Sequence, residues 1–341
     1  MKIKNILIIQ TAYLGDVILA LPMVQTIKNH FPESDIDFLC IPNTAQVLQN
    51  NPYLKRIIPY DKKGGDKLDK FIEVLLEIRE NNYDAVICPH RFFRSALLTY
   101  YSEAKIRIGF YENSLSFLLT HKAKYITDKH EIYRNLDLVK LIPDFDFNEN
   151  KISFKPELFP LTEQENYINN LLKDYSDIIS FAPCSKWFTK QLPLKLSAEI
   201  IANLISLGFN IVLLGGKDDS VYCNDLEKTV NDNKLLNLCG KTNVLESYLV
   251  IKKSAALITA DSAAQHIGNA ADIPIVLIYG STDISFGFYP LTAKYKISEI
   301  DSLSCRPCTN HGKTRCPLGH FKCMNELSAN KIVELTLQII N

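Results

Sequence analysis

The segment that decides the fold is Ile6–Pro32, ILIIQTAYLGDVILALPMVQTIKNHFP. It begins with a short β-branched run, Ile6–Gln10, passes a turn at Gly15, and continues with Val17, Ile18, Leu21, Val24 and Ile27. A short β-branched run followed by a 3.6-residue period reads as a strand, a tight turn and a helix over about Asp16–Phe31, one face of which packs on a sheet. The rhythm continues outward through Ile36–Cys40, a helix near Thr44–Asn50, Ile57–Pro59, a helix over Lys67–Asn81 and a strand at Ala85–Cys88. Strands alternating with helices build βαβ units and hence a parallel sheet.

After Lys151–Tyr175 the rhythm starts again. Predicted strands at Ile178–Ala182, Asn210–Gly215, Leu235–Leu238, Ala256–Thr259 and Ile275–Tyr279 alternate with helices at Pro193–Leu207, Ser220–Asn231, Val244–Ser254 and Ser262–Ala271, and Asn325–Ile340 forms a terminal amphipathic helix. A chain of 341 residues exceeds what one core usually serves. The expected architecture is therefore α/β with two doubly wound, Rossmann-like domains, 1–172 and 173–324, and a helix at 325–341 able to pack back on the N-terminal domain. Two such sheets leave a cleft outside the carboxyl ends of their strands, where ligands bind, so chemistry is sought in the loops that follow strands.

Lys plus Arg and Asp plus Glu both total 38, which gives no global pull toward nucleic acid. The most apolar stretches, Ile200–Gly216 and Ala255–Gly280, are broken by polar residues and fall short of the ~20 apolar residues of a membrane span. Met1–Gln10 reads as a first strand and not a secretory signal, so membrane contact is expected to be peripheral. Cys40, Cys88, Cys184, Cys223 and Cys239 lie among apolar neighbours, the pattern of reduced core thiols in a cytoplasmic protein. Cys305, Cys308, Cys316 and Cys323, with His311 and His320 nearby, have a spacing that fits structural zinc, reduced thiols or a labile disulfide.

The first post-strand loop, Thr11–Asp16, places Asp16 at the start of a helix, as a cap or as a carboxylate able to take a proton from a hydroxyl. It lacks the three glycines of a dinucleotide fingerprint. In the second half, CSKWFTKQLP at Cys184–Pro193 gathers Ser185, Lys186, Thr189 and Lys190 ahead of a helix, a set suited to a diphosphate. LLGGKDD ends in Asp219, DSAAQH carries Asp261, Ser262 and His266, and YGSTD carries Thr282. Polar groups recurring at successive strand ends of one domain outweigh the bland account of separate caps and turns. Arg91, Arg94, Lys105 and Arg107 cluster with Phe92 and Phe93, and Lys62 and Lys63 precede a Gly-Gly loop.

Taken together these segments resemble glycosyltransferase family nine, the ADP-heptose:lipopolysaccharide heptosyltransferases, over nearly the whole chain. FTKQLP is similar to the family's Lys-Arg-Trp-Pro element, and DSAAQHIGNAADIPIVLIYGSTD to its Asp-Ser-Gly-x-x-His signature and the strand beyond. The resemblance implies a GT-B fold, with an N-terminal acceptor domain, a C-terminal nucleotide-sugar domain, and inverting, metal-independent transfer that needs no cofactor beyond ADP-heptose as donor. It implies Asp16 as general base and Lys190 as the neutraliser of donor phosphates. Asp261 and His266 would line the donor pocket, with Ser185, Thr189, Asp219, Ser262 and Thr282 as further donor contacts. Arg91, Arg94 and Arg107 are expected to bind a lipid A-Kdo-type lipopolysaccharide acceptor at the cytoplasmic face of the inner membrane. Ala263 replaces the motif glycine and Gln191-Leu192 stand where the pattern prefers Arg-Trp, which puts the donor preference in question. Two other functions use the same architecture: a sugar-nucleotide epimerase and a non-catalytic nucleotide-sugar binder.

Overall fold

The computed structural model describes residues 3–62, 66–146, 148–292 and 294–340. They form two units, Met1–Phe159 and Pro160–Asn341. The first unit contains β1 (Asn5–Ile9), α1 (Leu14–His30), β2 (Asp35–Cys40), α2 (Pro42–Ala45), β3 (Arg56–Pro59), α3 (Lys67–Glu80), β4 (Ala85–Cys88), α4 (Phe93–Tyr101), β5 (Ile106–Phe110), β6 (His121–Ala123) and α5 (Glu131–Val139). Its strands pair in the order β3-β2-β1-β4-β5-β6, all parallel.

The second unit contains α6 (Thr162–Leu171), β7 (Ile178–Ala182), α7 (Leu194–Ser206), β8 (Asn210–Leu213), α8 (Ser220–Val230), β9 (Leu235–Asn237), α9 (Val244–Lys252), β10 (Ala256–Ala260), α10 (Ala263–Ala271), β11 (Ile275–Ile278), β12 (Tyr295–Ser298), α11 (Lys322–Asn325) and α12 (Ala329–Ile340). Read from β9, its sheet runs β9-β8-β7-β10-β11-β12, the same winding as the first. Both sheets reverse direction between their first and fourth strands, β1 and β4 in one and β7 and β10 in the other. Open α/β sheets present their ligand crevice at that reversal.

The strands are buried on both faces, as parallel sheets covered by helices must be. In the first unit Leu7, Ile9, Leu39, Val86 and Cys88 pack on Val74, Ile78 and Leu98. In the second, Ile179, Phe181, Ile211, Leu213, Ile258 and Ile278 meet Ile200, Leu204, Ile332 and Val333. The three strands that the sequence reading passes over, β5, β6 and β12, are short or carry Arg107, Lys122 and Lys296 among their apolar positions, which breaks the pattern.

Three expectations change in detail. The unit boundary falls at Phe159/Pro160 and not at 172/173, because α6 packs against α9 of the second unit. The terminal helix α12 lies against α7 and strands β10, β11 and β12, where Ile332, Val333 and Ile339 complete the second core. Helix α1 is buried on every side from Val17 to Ile27. A helix that is apolar all round belongs inside the core. It is tied to α5 by Asn135 Nδ2 donating to the Leu19 carbonyl at 3.0 Å.

The end of β11 is packed too tightly for a side chain. A Cβ on Gly280 would meet the Thr189 carbonyl oxygen at 2.7 Å and Met324 Cε at 2.6 Å. This close approach seats the loop after β7 on the end of β11. Gly280→Ala is expected to lower stability by roughly 1–3 kcal/mol, the usual cost of overpacking, with the urea midpoint as the check.

Candidate active site

The two sheet reversals each carry a polar cluster. In the first unit α1 starts at Leu14, with Tyr13 as its N-cap and Asp16 in the first turn. Asp16 is therefore not the cap; its carboxylate accepts from the Tyr13 backbone N–H at 3.0 Å. Across the reversal, Thr11 Oγ1 after β1 meets His90 Nδ1 after β4 at 3.0 Å, and Ser95 Oγ lies 2.8 Å from the same ring nitrogen. Lys62 Nζ donates to the Thr11 carbonyl at 2.6 Å. Lys63 and the two glycines after it lie outside the described residues.

Asp16 occupies a strongly perturbing site. Burial pushes its pKa up to about 6, and the nearby Glu131 carboxylate adds to the rise. The Tyr13 N–H and the Arg91 guanidinium pull the other way without cancelling it. Removing a carboxylate from water disfavours its charged form, and a second carboxylate does the same. Burial, followed by Lys62 and Arg91, likewise holds His90 down at about 4, so the imidazole is neutral at physiological pH.

Glu131 is itself fixed. It pairs with Arg134 at 2.7 Å and accepts from the Tyr125 hydroxyl at 3.0 Å. Arg134 is almost wholly buried and also donates to the carbonyls of Ile126 and Thr127. The guanidinium carbons of Arg91 and Arg134 lie 3.8 and 4.3 Å from the Tyr125 ring centroid. A buried arginine with a carboxylate, a phenol and two carbonyls is a satisfied network, and a satisfied network holds its charges in place. Glu131, Arg134 and Tyr125 escaped the sequence reading. The visible signal was a charged pair three residues apart inside the apolar pattern of Ile132, Leu136, Leu138 and Val139.

Of the three arginines expected together, Arg91 and Arg94 flank this cluster; Arg94 Nη1 lies 3.5 Å from the Lys62 carbonyl. Arg107 differs. Its donors go to the carbonyls of Leu118 at 3.0 Å and Ala104 at 2.7 Å, which fixes the 3-10 turn Ser116–Leu118 against β5.

In the second unit the reversal between β7 and β10 joins Lys190, Asp261 and Thr282. Lys190 Nζ is 2.8 Å from Asp261 Oδ2, and Thr282 Oγ1 donates to the same oxygen at 2.6 Å. Gln265 Nε2 donates to Asp261 Oδ1 at 3.1 Å and lies 3.5 Å from His266 Nε2. Ser262, and not Asp261, is the N-cap of α10, its Oγ accepting from the Ala264 N–H. Asp261 is thus free to pair with Lys190 at the positive end of the helix. Ser185 Oγ reaches the Asp261 carbonyl at 3.5 Å. Arg306 fixes the far side, donating to the carbonyls of Gly280 and Thr282 and pairing with Glu299. The sequence reading missed Gln265 and Arg306.

Two expected donor contacts stand apart. Thr189 is buried, its hydroxyl between Ser281 Oγ at 2.9 Å and the Lys313 N–H at 2.8 Å, which is a structural role. Asp219 accepts from the Gly216 N–H at 2.8 Å after β8, and burial raises its pKa. An open recess of about 1420 Å³ is lined by Trp187, Phe188, Tyr222, Lys313 and Arg315 among others, but not by Lys190 or Asp261. All nine cysteines are free thiols, and among the described residues no group of three or more His, Cys, Asp or Glu is placed to hold a metal ion.

A profile of glycosyltransferase family 9 (heptosyltransferase) matches residues 72–318, well over half of the chain. The chain belongs to glycosyltransferase family 9. As a family 9 chain it is a glycosyltransferase, which sets aside the epimerase and the non-catalytic binder. It is 27% identical over 290 residues to lipopolysaccharide heptosyltransferase 3 of Escherichia coli K12, covering 80% of this chain and 82% of that protein. Its fold is similar to the glycosyl transferase family 9 structure from Veillonella parvula, with a TM-score of 0.85, 21% identity and coverage of 100% and 98% of the two chains. It is also similar to E. coli ADP-heptose LPS heptosyltransferase II, with a TM-score of 0.79, 20% identity and 98% of each chain covered. These likenesses establish the GT-B fold for the family 9 chain.

The Asp16 environment gives a direct test. Replacing Glu131 with Gln removes the repelling charge and keeps the hydrogen-bonding shape, so the Asp16 pKa should move down from about 6. Titration of ¹³C-labelled aspartate carboxyls by NMR reads the shift. An unmoved midpoint would show that Glu131 has no hold on Asp16.

Proposed function

We propose that this enzyme transfers heptose from ADP-heptose to the inner core of lipopolysaccharide, with inversion and without a metal, using Asp16 as general base. The acceptor hydroxyl attacks the anomeric carbon, a new C–O bond forms, and the bond to the ADP phosphate oxygen breaks on the opposite face. The hydroxyl proton passes to Asp16, and the electron pair of the broken bond leaves on ADP. The observation that carries the reading is the Asp16 carboxyl at the mouth of β1, whose pKa of about 6 suits proton abstraction near neutral pH. The heptosyltransferase names of its relatives support the choice of sugar and acceptor.

Lys190 and the N-terminal amides of α10 would offset the charge growing on the leaving diphosphate, which is why no metal is needed in this reading. Asp261, held by Lys190, Thr282 and Gln265, keeps the ammonium in place before the donor arrives. His266, Ser262 and Ser185 complete the proposed donor set. Arg91 and Arg94 would meet acceptor carboxylates or phosphates, since guanidinium forks fit both. No helix among the described residues is long and apolar enough to cross a membrane. The proposed place of work is the cytoplasmic face of the inner membrane, held peripherally.

The roles separate by measurement. Asp16→Asn should cut transfer by roughly 10²–10⁴-fold, the usual worth of a positioned base. Its affinity for ADP, read by calorimetry, should stay unchanged. Lys190→Ala should instead weaken ADP binding at least about tenfold, as expected for loss of a charge-assisted contact. Wild-type turnover by Asp16→Asn would remove the base assignment.

A further inference from the structure

Helix α4 packs on β4 and touches α3 and the 3-10 turn Ser116–Leu118, yet several of its large side chains stay exposed. Phe93, Leu97, Tyr100 and Tyr101, spaced i, i+4, i+7 and i+8, share its outer side. Both tyrosines and Phe93 are exposed, Phe92 just before the helix is 67% exposed, and Phe117 on the adjoining 3-10 turn is 73% exposed. Arg107 joins the turn to the helix, bonded to Leu118 and with its guanidinium carbon 5.7 Å from the Tyr100 ring. Large aromatic groups exposed side by side are unusual on a soluble surface and mark a contact site.

The charge around them is mostly positive, with Glu103 the exposed carboxylate just beyond the helix. Arg94 lies 5.8 Å from the Phe93 ring, and Arg91 and Lys105 are exposed at either end of the helix. Among the described residues no carboxylate forms an ion pair with Arg91, Arg94, Lys105 or Arg107, while the neighbouring Glu103 is taken up by Arg79. Aromatic rings with interleaved cations suit the headgroup layer of a bilayer, where amphipathic rings insert and cations meet anionic lipid.

We propose that the outer face of α4, with Phe117, docks this enzyme on an anionic phospholipid surface. The inference rests on the proposed function only in its purpose, to bring the enzyme to a lipid-borne acceptor; the surface itself is read from α4. Docking then uses Phe93, Tyr100, Tyr101, Phe117 and Lys105 in the same unit that carries Asp16.

The test is flotation of the full chain with vesicles of phosphatidylethanolamine and phosphatidylglycerol, against vesicles of phosphatidylcholine alone. Wild-type protein should float with the first and not the second, and added salt should weaken the binding. Tyr100→Ser/Tyr101→Ser/Phe117→Ser should lower vesicle binding by about tenfold or more, in line with losing several interfacial rings. Its ADP affinity and its transfer to a deacylated, soluble acceptor should persist. Should that variant fold poorly, Lys105→Glu alone should still reduce binding at low salt. The proposal falls if wild-type protein ignores phosphatidylglycerol, if the variants bind as wild type does, or if the face is buried in a dimer of this chain in solution. Loss of transfer to the soluble acceptor by wild-type protein that still floats would count against the proposed function and not against this surface.

Discussion

The candidate chemistry of the first unit depends on one constraint: a carboxylate is held where water cannot fully solvate it. The turn from β1 into α1 places Asp16, half-buried, in the first turn of the helix, one residue before its fully buried stretch begins at Val17. The Tyr13 N–H fixes its direction. Burial and Glu131 then raise its pKa to about 6. Arg134 and the Tyr125 hydroxyl both bond Glu131 Oε2, and Arg134 is in turn satisfied by backbone carbonyls. Removing one partner from such a buried pair typically costs about 3–5 kcal/mol. The tuning of Asp16 is thus built into the packing of α5 on α1.

The second unit solves a different problem with the same winding. Here the reversal between β7 and β10 carries Lys190, and the difficulty is to hold its long side chain still in a nearly buried place. Asp261 does this at the N-terminus of α10, where the helix favours its negative charge, and Thr282 and Gln265 use its remaining lone pairs. Arg306 and the crowding at Gly280 hold the Thr282 loop against the loop after β7. In the proposed reaction the ammonium is in place beforehand, so little reorganisation is needed as charge develops on the leaving group.

Much of this was legible in the residues. The change from a β-branched run to a helical period at Ile6–Pro32, and its return after Ile178, fixed the class and the doubly wound sheets. Lys190, Asp261 and Thr282 were visible as polar groups at strand ends, and the structure joins them within hydrogen-bonding distance. Their partnership was not visible, because residues 190, 261 and 282 meet only once β7, β10 and β11 lie side by side. Thr189 and Arg107 misled for the opposite reason: each has the right chemistry in the right segment, but neighbouring backbone groups claim it. Glu131 and Arg134 were hidden because a charged pair on a helix usually faces water, and only the packing of α5 turns it inward. The strands β5, β6 and β12 escaped because a few charged residues are enough to mask a run of three to five.

The central claim is that Asp16 must be ionised for transfer. The pH dependence of kcat/KM for heptose transfer tests it most directly, since that profile reports the essential groups of the free enzyme. The proposed base would work in its charged form, so the account predicts a rate that falls as pH drops through about 6 and reaches a plateau above it. A profile that stays flat well below that value, toward the ordinary carboxylate range, would contradict the account.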